Sequence, residues 1–215
     1  NEKEKFVPFD GRALQVTVPE GKNSGLSITY RFKEKTGSEP EEIFFRYYLR
    51  IGDGWAPSFS GKFPGIAGTY DKGGWGGRPS DGYNGWSARG LYERTTNGKI
   101  PIGNYVYHAD MKGQWGNYFI WNIDNRGYLE KNRWYCIEMY VKLNTPELND
   151  GILRGWVDGQ PAYERTNLKY RKTSDLKIEN VWLNIYHGGT DVAPSDQVLF
   201  IDNIVIARKY IGPGK

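Results

Sequence analysis

The sequence predicts an all-β fold, a β-jelly-roll sandwich of two antiparallel sheets with a concave cleft. Aromatic residues make up 15% of the chain, with 16 Tyr and 8 Trp beside 28 Gly, a mixture typical of strands and turns. Short segments of alternating apolar and polar residues recur, whereas a helical period shows only near residues 168–176. With 215 residues and no recognisable linker, the chain is expected to form one domain over residues 1–215.

Strands are predicted where an alternating run ends at a turn signal. Asn97-Gly98 and Asp158-Gly159 supply two hairpin turns, because such pairs readily adopt positive φ. A charged loop is expected over residues 34–42. The predicted strands cover residues 13–18, 27–32, 42–50, 86–93, 104–110, 117–123, 133–143, 180–187 and 198–207, with a hairpin in residues 151–164.

The strand over residues 42–50 has two different faces. The row that is expected to face the core consists of Phe45, Tyr47 and Leu49. Arg46, Tyr48 and Arg50 form the other row. Two interpretations stay open for it: a solvated outer face, or a cleft floor that binds carboxylates, for which the guanidinium is well shaped.

Positive charge is concentrated in one part of the chain. Residues 44–112 contain nine Lys or Arg against five Asp or Glu, so this part accounts for the whole net charge of +4. A local positive field favours an acidic ligand. No nucleic-acid motif and no apolar segment of membrane-spanning length is present, so neither nucleic acid nor a membrane is expected as a partner. A single cysteine and two histidines exclude an intrachain disulfide and argue against a zinc site.

Residues 61–90 hold ten of the 28 glycines and are expected to form a long loop beside the cleft. Lys62 is predicted to lie on this loop. Trp75 and Tyr83, near its tip, either stack on sugars or pin the loop to the domain, and both interpretations stay open.

Two later segments place polar side chains on shared faces. Ser87 and Arg89 are two residues apart, as are Tyr105 and Tyr107, so each pair projects from one face of its strand. If the strands are neighbours, the ammonium of Lys62, a guanidinium and two phenols converge on one patch. The alternatives are an aromatic ladder for the tyrosines and a surface ion pair for Arg89.

The segment GKFPG at residues 61–65 resembles the GKLPG segment of jelly-roll polysaccharide lyases. These are the alginate and glucuronate lyases of polysaccharide lyase families 14 and 20, with the fungal cellulose-induced protein of similar fold. The likeness continues through WSAR at residues 86–89 and YVY at residues 105–107, which match Ser-x-Arg and Tyr-x-Tyr strands, and ends in residues 201–213. The sequence departs from the pattern at Phe63 and in a longer glycine-rich insertion.

The resemblance implies a lyase that cleaves a uronic-acid-containing acidic polysaccharide, of the glucuronan or alginate type, by β-elimination. Such an enzyme must neutralise the uronate carboxylate, remove the C5 proton and protonate the leaving oxygen. Lys62 and Arg89 suit the first task. Tyr105 and Tyr107 suit the other two, with Lys62 as an alternative base, and Ser87 would hold the carboxylate or a sugar hydroxyl.

Substrate-binding residues are predicted on two further strands. Val181, Leu183 and Ile185 alternate with polar and aromatic neighbours that would face the substrate, and the last of the set would lie at the cleft rim. The predicted substrate-binding residues are Arg46, Tyr48, Arg50, Trp182, Asn184, Tyr186 and His187.

Asp202 resembles the structural calcium ligand of many sugar-binding jelly rolls, and the alternative is a strand-end Asp that caps backbone amides. No cofactor is expected to be required for catalysis, and the protein is expected to be a secreted monomer. A non-catalytic carbohydrate-binding module, with Trp182, Tyr186 and Tyr48 as stacking platforms, is the second function. The clustered cations favour the enzyme, because a module for neutral glycans needs aromatic residues only.

Overall fold

The computed structural model describes residues 6–55 and 60–214, and its regular structure is almost entirely β-strand. Within these two ranges, one short helix, α1 (Phe32–Thr36), and one 3-10 turn (Ile123–Asn125) interrupt the strands. Within the described residues the strands are β1 (Leu14–Val18), β2 (Ser24–Arg31), β3 (Glu42–Ile51), β4 (Gly61–Gly68), β5 (Trp86–Tyr92), β6 (Ile100–Tyr107), β7 (Asn117–Ile120), β8 (Tyr128–Leu129), β9 (Trp134–Lys142), β10 (Gly151–Val157), β11 (Gln160–Leu168), β12 (Asn180–His187) and β13 (Gln197–Ala207).

The strands form two antiparallel sheets that pack face to face. The back sheet has the order β1-β13-β3-β9-β10-β11. The front sheet has the order β2-β12-β4-β5-β6-β7, with β8 paired to β6. Two open antiparallel sheets around an apolar core are the architecture of a β-sandwich, so the predicted fold class is confirmed.

Alternation within the strands decides which side chains fill the core. Phe45, Tyr47 and Leu49 of β3 are buried there, as predicted. Ala88 of β5 and Val106 of β6 enter the same core from the front sheet. Because sequence neighbours on a strand point to opposite faces, the residues between them lie on the outer faces of the two sheets.

The terminal segments cover the outer face of the back sheet. Phe9 stacks on Tyr48 with ring centroids 3.7 Å apart, and the Tyr48 hydroxyl accepts a hydrogen bond from the Gly214 amide at 3.0 Å. Arg46 donates to the Gly212 carbonyl at 3.2 Å. The two ends of the described chain therefore meet over β3.

The prediction that Arg46, Tyr48 and Arg50 bind substrate is wrong. Arg50 lies on the same outer face and donates to Asn132 Oδ1 at 3.0 Å. All three side chains are buried under the terminal segments, so they form neither a solvated face nor a cleft floor. They lie on the opposite side of the sandwich from Arg89, since β3 belongs to the back sheet and β5 to the front sheet.

Four local predictions also need correction. Residues 61–68 form β4 and not a loop, and β6 begins at Ile100 and not at residue 104. The charged loop after β2 begins with helix α1. Residues 168–176 contain no helix, because Asn144 Oδ1 accepts the amide protons of Tyr170 and Arg171 and holds that segment in an irregular conformation. No helix in the described part of the chain is long and apolar enough to cross a membrane.

Candidate active site

Ser87, Arg89, Tyr105 and Tyr107 share the outer face of the front sheet. Ala88, between Ser87 and Arg89, points into the core, so its neighbours point outwards. Strands β5 and β6 pair with Ser87 opposite Tyr107 and Arg89 opposite Tyr105. Because the two strands are neighbours, Arg89, Tyr105 and Tyr107 converge on one patch as predicted, with Ser87 beside them, and we call this patch the cleft.

Lys62 reaches the cleft from β4, and glycine makes that strand possible. A Cβ atom on Gly61 would overlap the ring of Tyr92, and one on Gly65 would overlap the backbone of Arg89. The glycines of this strand therefore permit close packing against β5, as glycine does where another chain approaches. The sequence count alone pointed to a loop, because it did not separate glycines needed for contact from glycines needed for turns.

The two cations of the cleft flank one tyrosine ring. Lys62 Nζ lies 3.9 Å from the Tyr105 ring centroid, and the Arg89 Cζ atom lies 6.0 Å from it. Lys62 and Arg89 are only 5% and 7% exposed. Among the described residues, neither side chain forms an ion pair with a carboxylate. A bound anion would supply the missing counter-charge, so the arrangement favours an acidic ligand.

The environment of Lys62 makes it a base near neutral pH. Burial, followed by repulsion from Arg89, lowers the pKa of Lys62 to about 7, against an opposing attraction to Glu93. Burial also lowers the pKa of Arg89, although a guanidinium in a protein keeps its proton. The cleft therefore contains one permanent cation beside one amine that can give up its proton under mild conditions.

The two tyrosines have hydroxyl groups that accept backbone hydrogen bonds. The Tyr105 hydroxyl accepts from the Gly116 amide at 3.0 Å, and the Tyr107 hydroxyl accepts from the Gly77 amide at 3.2 Å. Burial, followed by the interaction with Tyr107, raises the pKa of Tyr105 well above its ordinary value. Tyr105 therefore stays protonated at neutral pH, which suits a proton donor better than a base.

Ser87 has a different partner from the predicted one. Its hydroxyl is fully buried and donates to the Gly74 carbonyl at 2.6 Å. This geometry does not support the expected contact with a carboxylate or hydroxyl of the substrate, because the hydroxyl proton of Ser87 anchors the glycine-rich loop. Ser87 instead fixes where that loop leaves the cleft.

The glycine-rich loop occupies residues 69–85 in the structure and has a tight hairpin at its tip. The Arg78 amide donates to the Trp75 carbonyl at 2.9 Å, and Gly76 and Gly77 between them have φ of 57° and 76°. Two consecutive positive φ values are the geometry of a two-residue hairpin turn, which glycine adopts without steric cost. We call residues 75–78 the tip hairpin.

The tip hairpin packs on the cleft through Trp75. The Trp75 ring lies edge-on to the ring of Trp182 with centroids 6.5 Å apart, and the Arg78 guanidinium lies 4.2 Å from the Trp75 centroid. Tyr83, in contrast, is 59% exposed on the outside of the loop. The structure thus distinguishes two aromatic residues that the sequence left equivalent.

Strand β12 contributes three of its four predicted ligand-binding residues to the cleft. Trp182 stacks under the Arg89 guanidinium, 5.1 Å from its Cζ atom. Asn184 and Tyr186 follow on the same face. The predicted place of His187 at the cleft rim is wrong, because its ring is fully buried on the core side, edge-on to Tyr92 at 6.1 Å.

Tyr118 and Ser60 belong to the cleft although sequence reasoning missed them. Tyr118 of β7 lies opposite Tyr105 of β6, and the two rings contact edge-on at 5.1 Å. The Tyr118 hydroxyl lies 3.1 Å from Ser60 Oγ, which precedes β4. The available signal was the pairing of two aromatic strands, since a tyrosine directly across from Tyr105 had to share its face.

Asp202 caps backbone amides. Its carboxylate accepts from the Asp10 amide at 3.2 Å and from the Asn203 amide at 2.6 Å. Within the described ranges, no group of three or more His, Cys, Asp or Glu residues could hold a metal ion. Both carboxylate oxygens of Asp202 accept backbone N–H donors, so its environment fits the amide-capping alternative better than a calcium site.

Known structures share this architecture. The structure of alginate lyase Aly36B in complex with alginate trisaccharide superposes with a TM-score of 0.78 at 24% identity, covering 92% of this chain and 82% of that one. Alginate lyase vAL-1 from Chlorella virus gives 0.71 at 20% identity, covering 94% and 88%. Endo-β-1,4-glucuronan lyase from the fungus Trichoderma reesei gives 0.58 at 15% identity, covering 94% and 84%. At these identities the likeness establishes a common fold.

Family membership follows from the sequence match. No curated protein matches the chain. The sequence profile of the polysaccharide lyase 14 family matches residues 9–204. This range includes every strand of the cleft. This match covers most of the chain. The fold of the chain and its cationic cleft agree with the family match. The chain therefore belongs to the polysaccharide lyase 14 family.

Proposed function

We propose that this polysaccharide lyase cleaves a polyuronate of the alginate type, with glucuronan as the alternative, by β-elimination in the cleft. The observation that carries the proposal is the burial of Lys62 and Arg89 around Tyr105, with no ion pair to a carboxylate among the described residues. A neutral glycan would leave both cations uncompensated, whereas a uronate carboxylate supplies one negative charge at each sugar. The alginate trisaccharide bound to Aly36B supports the choice of polymer.

Arg89 is the group that neutralises the substrate carboxylate. Its guanidinium rests on the rings of Trp182 and Tyr105, and its Nε atom is buried without a hydrogen-bond partner in the described structure. Pairing with the carboxylate would satisfy this donor. The same contact stabilises the negative charge that develops on the carboxylate when the C5 proton leaves.

Lys62 is the base and Tyr105 the acid. Neutral Lys62 takes the C5 proton, the C5–H electron pair forms the C4–C5 double bond, and the C4–O bond breaks. Tyr105 gives its proton to the departing oxygen, and the product carries an unsaturated uronate at its new end. The assignment follows the two pKa directions, because Lys62 is the group that loses its proton easily and Tyr105 the one that retains it. Tyr107, fully buried with its hydroxyl bound to Gly77, supports Tyr105.

One assay tests the function. Polymannuronate, polyguluronate and glucuronan are incubated separately with the protein, and the ultraviolet absorbance of 4,5-unsaturated ends is followed. We expect absorbance to rise with at least one polymer and to stay flat with the Lys62→Met variant. Binding to a polymer without any rise in absorbance would favour the carbohydrate-binding module instead.

Three expectations accompany this proposal. We propose that the enzyme is secreted, because its polymeric substrate lies outside cells, and that it acts as a monomer. The third expectation is that catalysis requires no cofactor, and no step above depends on calcium at Asp202.

A further inference from the structure

Cations and aromatic rings alternate along the cleft. The series starts with Lys62 on Tyr105, continues with Arg89 between Tyr105 and Trp182, and ends where Trp182 meets the tip hairpin. The tip hairpin extends this series by one ring, that of Trp75, and then by one cation, Arg78. Two indole rings therefore separate the two guanidiniums.

Arg78 is held in the same manner as Arg89. Each guanidinium lies on an indole ring, at 4.2 Å for Arg78 and 5.1 Å for Arg89, and in the described part of the chain neither forms an ion pair. Stacking uses the face of the guanidinium and leaves its in-plane N–H groups free. These groups form the fork that binds a carboxylate through two parallel hydrogen bonds.

The position of Arg78 is fixed from several sides. The hairpin turn sets Trp75 and Arg78 opposite each other, and the Gly77 amide donates to the Tyr107 hydroxyl inside the cleft. A Cβ atom on Gly77 would come within 3.1 Å of the Trp115 ring, so the backbone of the turn lies tightly against the neighbouring loop. Arg78 is exposed to solvent, on a turn that is anchored to the cleft through Gly77.

We propose that Arg78 forms a second carboxylate subsite, which binds the uronate next to the one held by Arg89, with the indole rings of Trp75 and Trp182 supporting these two sugars. This inference rests on the proposed function and specifies its substrate class. The enzyme is matched to chains in which neighbouring sugars both carry a carboxylate, and is poorly matched to polymers that alternate a uronate with a neutral sugar. Arg78 determines specificity and takes no part in the chemical step.

Kinetics with polymannuronate test the subsite. Arg78→Gln removes the charge, Arg78→Lys retains it without the fork, and Arg208→Gln removes an exposed arginine beyond the end of β13 as the matched control. We expect Arg78→Gln to raise KM about tenfold with kcat changed by less than about twofold, as the loss of one charge-assisted pair predicts. Arg78→Lys should recover only part of the loss, and Arg208→Gln should behave as the wild type. Trp75→Leu, which removes the support and no charge, should also raise KM.

Partial amidation of the polymer tests the need for neighbouring carboxylates. When carboxylates are neutralised at random, adjacent charged pairs become rare, so the KM ratio between Arg78→Gln and wild type should fall towards one. A ratio that stays high on the amidated polymer, or an Arg78→Gln KM equal to that of Arg208→Gln on the intact polymer, overturns the subsite. Failure of the proposed function has another signature, since the wild type would then release no unsaturated product from any polyuronate.

Discussion

The ammonium of Lys62 lies 3.9 Å from the centre of the Tyr105 ring, so the base and the acid of the proposed reaction are in direct contact. Arg89 contacts the same ring, with its Cζ atom 6.0 Å from the centroid. A mutation can therefore separate two roles of Tyr105, because its ring contacts Lys62 and its hydroxyl donates the proton.

The first prediction concerns pH. Because the pKa of Lys62 in the free enzyme is about 7, kcat/KM should fall about tenfold for each unit of pH below 7 and level off above it. A bound carboxylate favours the ammonium form, so the inflection in kcat should lie at higher pH than the inflection in kcat/KM. Initial rates from pH 5.5 to 9 measure both profiles. A kcat/KM that is flat across this range would contradict the role of Lys62 as the base.

The second prediction separates the hydroxyl of Tyr105 from its ring. Tyr105→Phe keeps the ring beneath Lys62 and removes the proton donor, so kcat should fall by about two to four orders of magnitude while polymer binding is retained. Tyr30→Phe, in β2 of the front sheet, is the matched control and should leave kcat unchanged. Titration calorimetry with polymannuronate gives the affinity. Full activity in Tyr105→Phe would transfer the role of the acid to another group.

The third prediction is a gain of stability. The pKa of Lys62 is lower in the folded protein than in the unfolded chain, so the unfolded chain binds more protons between pH 7 and 10. Below pH 7 the buried ammonium of Lys62 therefore lowers the free energy of unfolding by its full penalty. This penalty decreases as the pH rises and disappears towards pH 10. Lys62→Met should raise the free energy of unfolding by about 2–4 kcal/mol at pH 6 and by less at pH 9.

Urea denaturation at the two pH values tests this claim, with Lys209→Met as the control on an exposed position. If Lys62→Met is equally stable or less stable than wild type at pH 6, burial of the ammonium does not carry the penalty that its surroundings indicate.

The fourth prediction concerns the back sheet. Tyr48→Phe removes the acceptor of the Gly214 amide and should lower the free energy of unfolding by about 1 kcal/mol. Its KM for polymannuronate should equal that of wild type, because the residue lies on the face opposite the cleft. An increased KM with unchanged stability would restore Tyr48 to the substrate-binding residues.

The fifth prediction concerns metal. Because both oxygens of the Asp202 carboxylate accept backbone amides, exhaustive chelation should leave the melting temperature and the activity unchanged. Elemental analysis of the untreated protein provides an independent measurement. Stoichiometric calcium, together with a lower melting temperature after its removal, would place an ion at Asp202 after all.

Local alternation in the sequence predicted most of the fold. The core row of Phe45, Tyr47 and Leu49 followed from period two, because a strand has only two faces. The turn signal at Asn97-Gly98 indicated that the strands of Arg89 and Tyr105 pair. Alternation does not state which sheet a strand joins. Arg46 and Arg89 both look like cleft cations in sequence, and only the sheet order separates them.

The sequence predicted only part of the candidate site, because local patterns do not show which segments pack together. Lys62 was recognised as a site residue but was placed on a loop, since glycine composition cannot distinguish a flexible segment from a closely packed strand. The contact between Trp75 and Trp182 joins residues that are far apart in sequence, and no local pattern announces it. Tyr118 was missed because its importance depends on the strand beside it.

The covering of the back sheet by both terminal segments has a practical consequence. Phe9 and Gly214 both contact Tyr48, so the two ends of the described chain lie behind the sandwich, away from the cleft. A tether attached at either end would leave the catalytic side facing the medium. Immobilisation of the described domain through either of these ends on a bead or an electrode should therefore preserve access for long viscous polymers, whereas random coupling through surface lysines would block a share of the molecules.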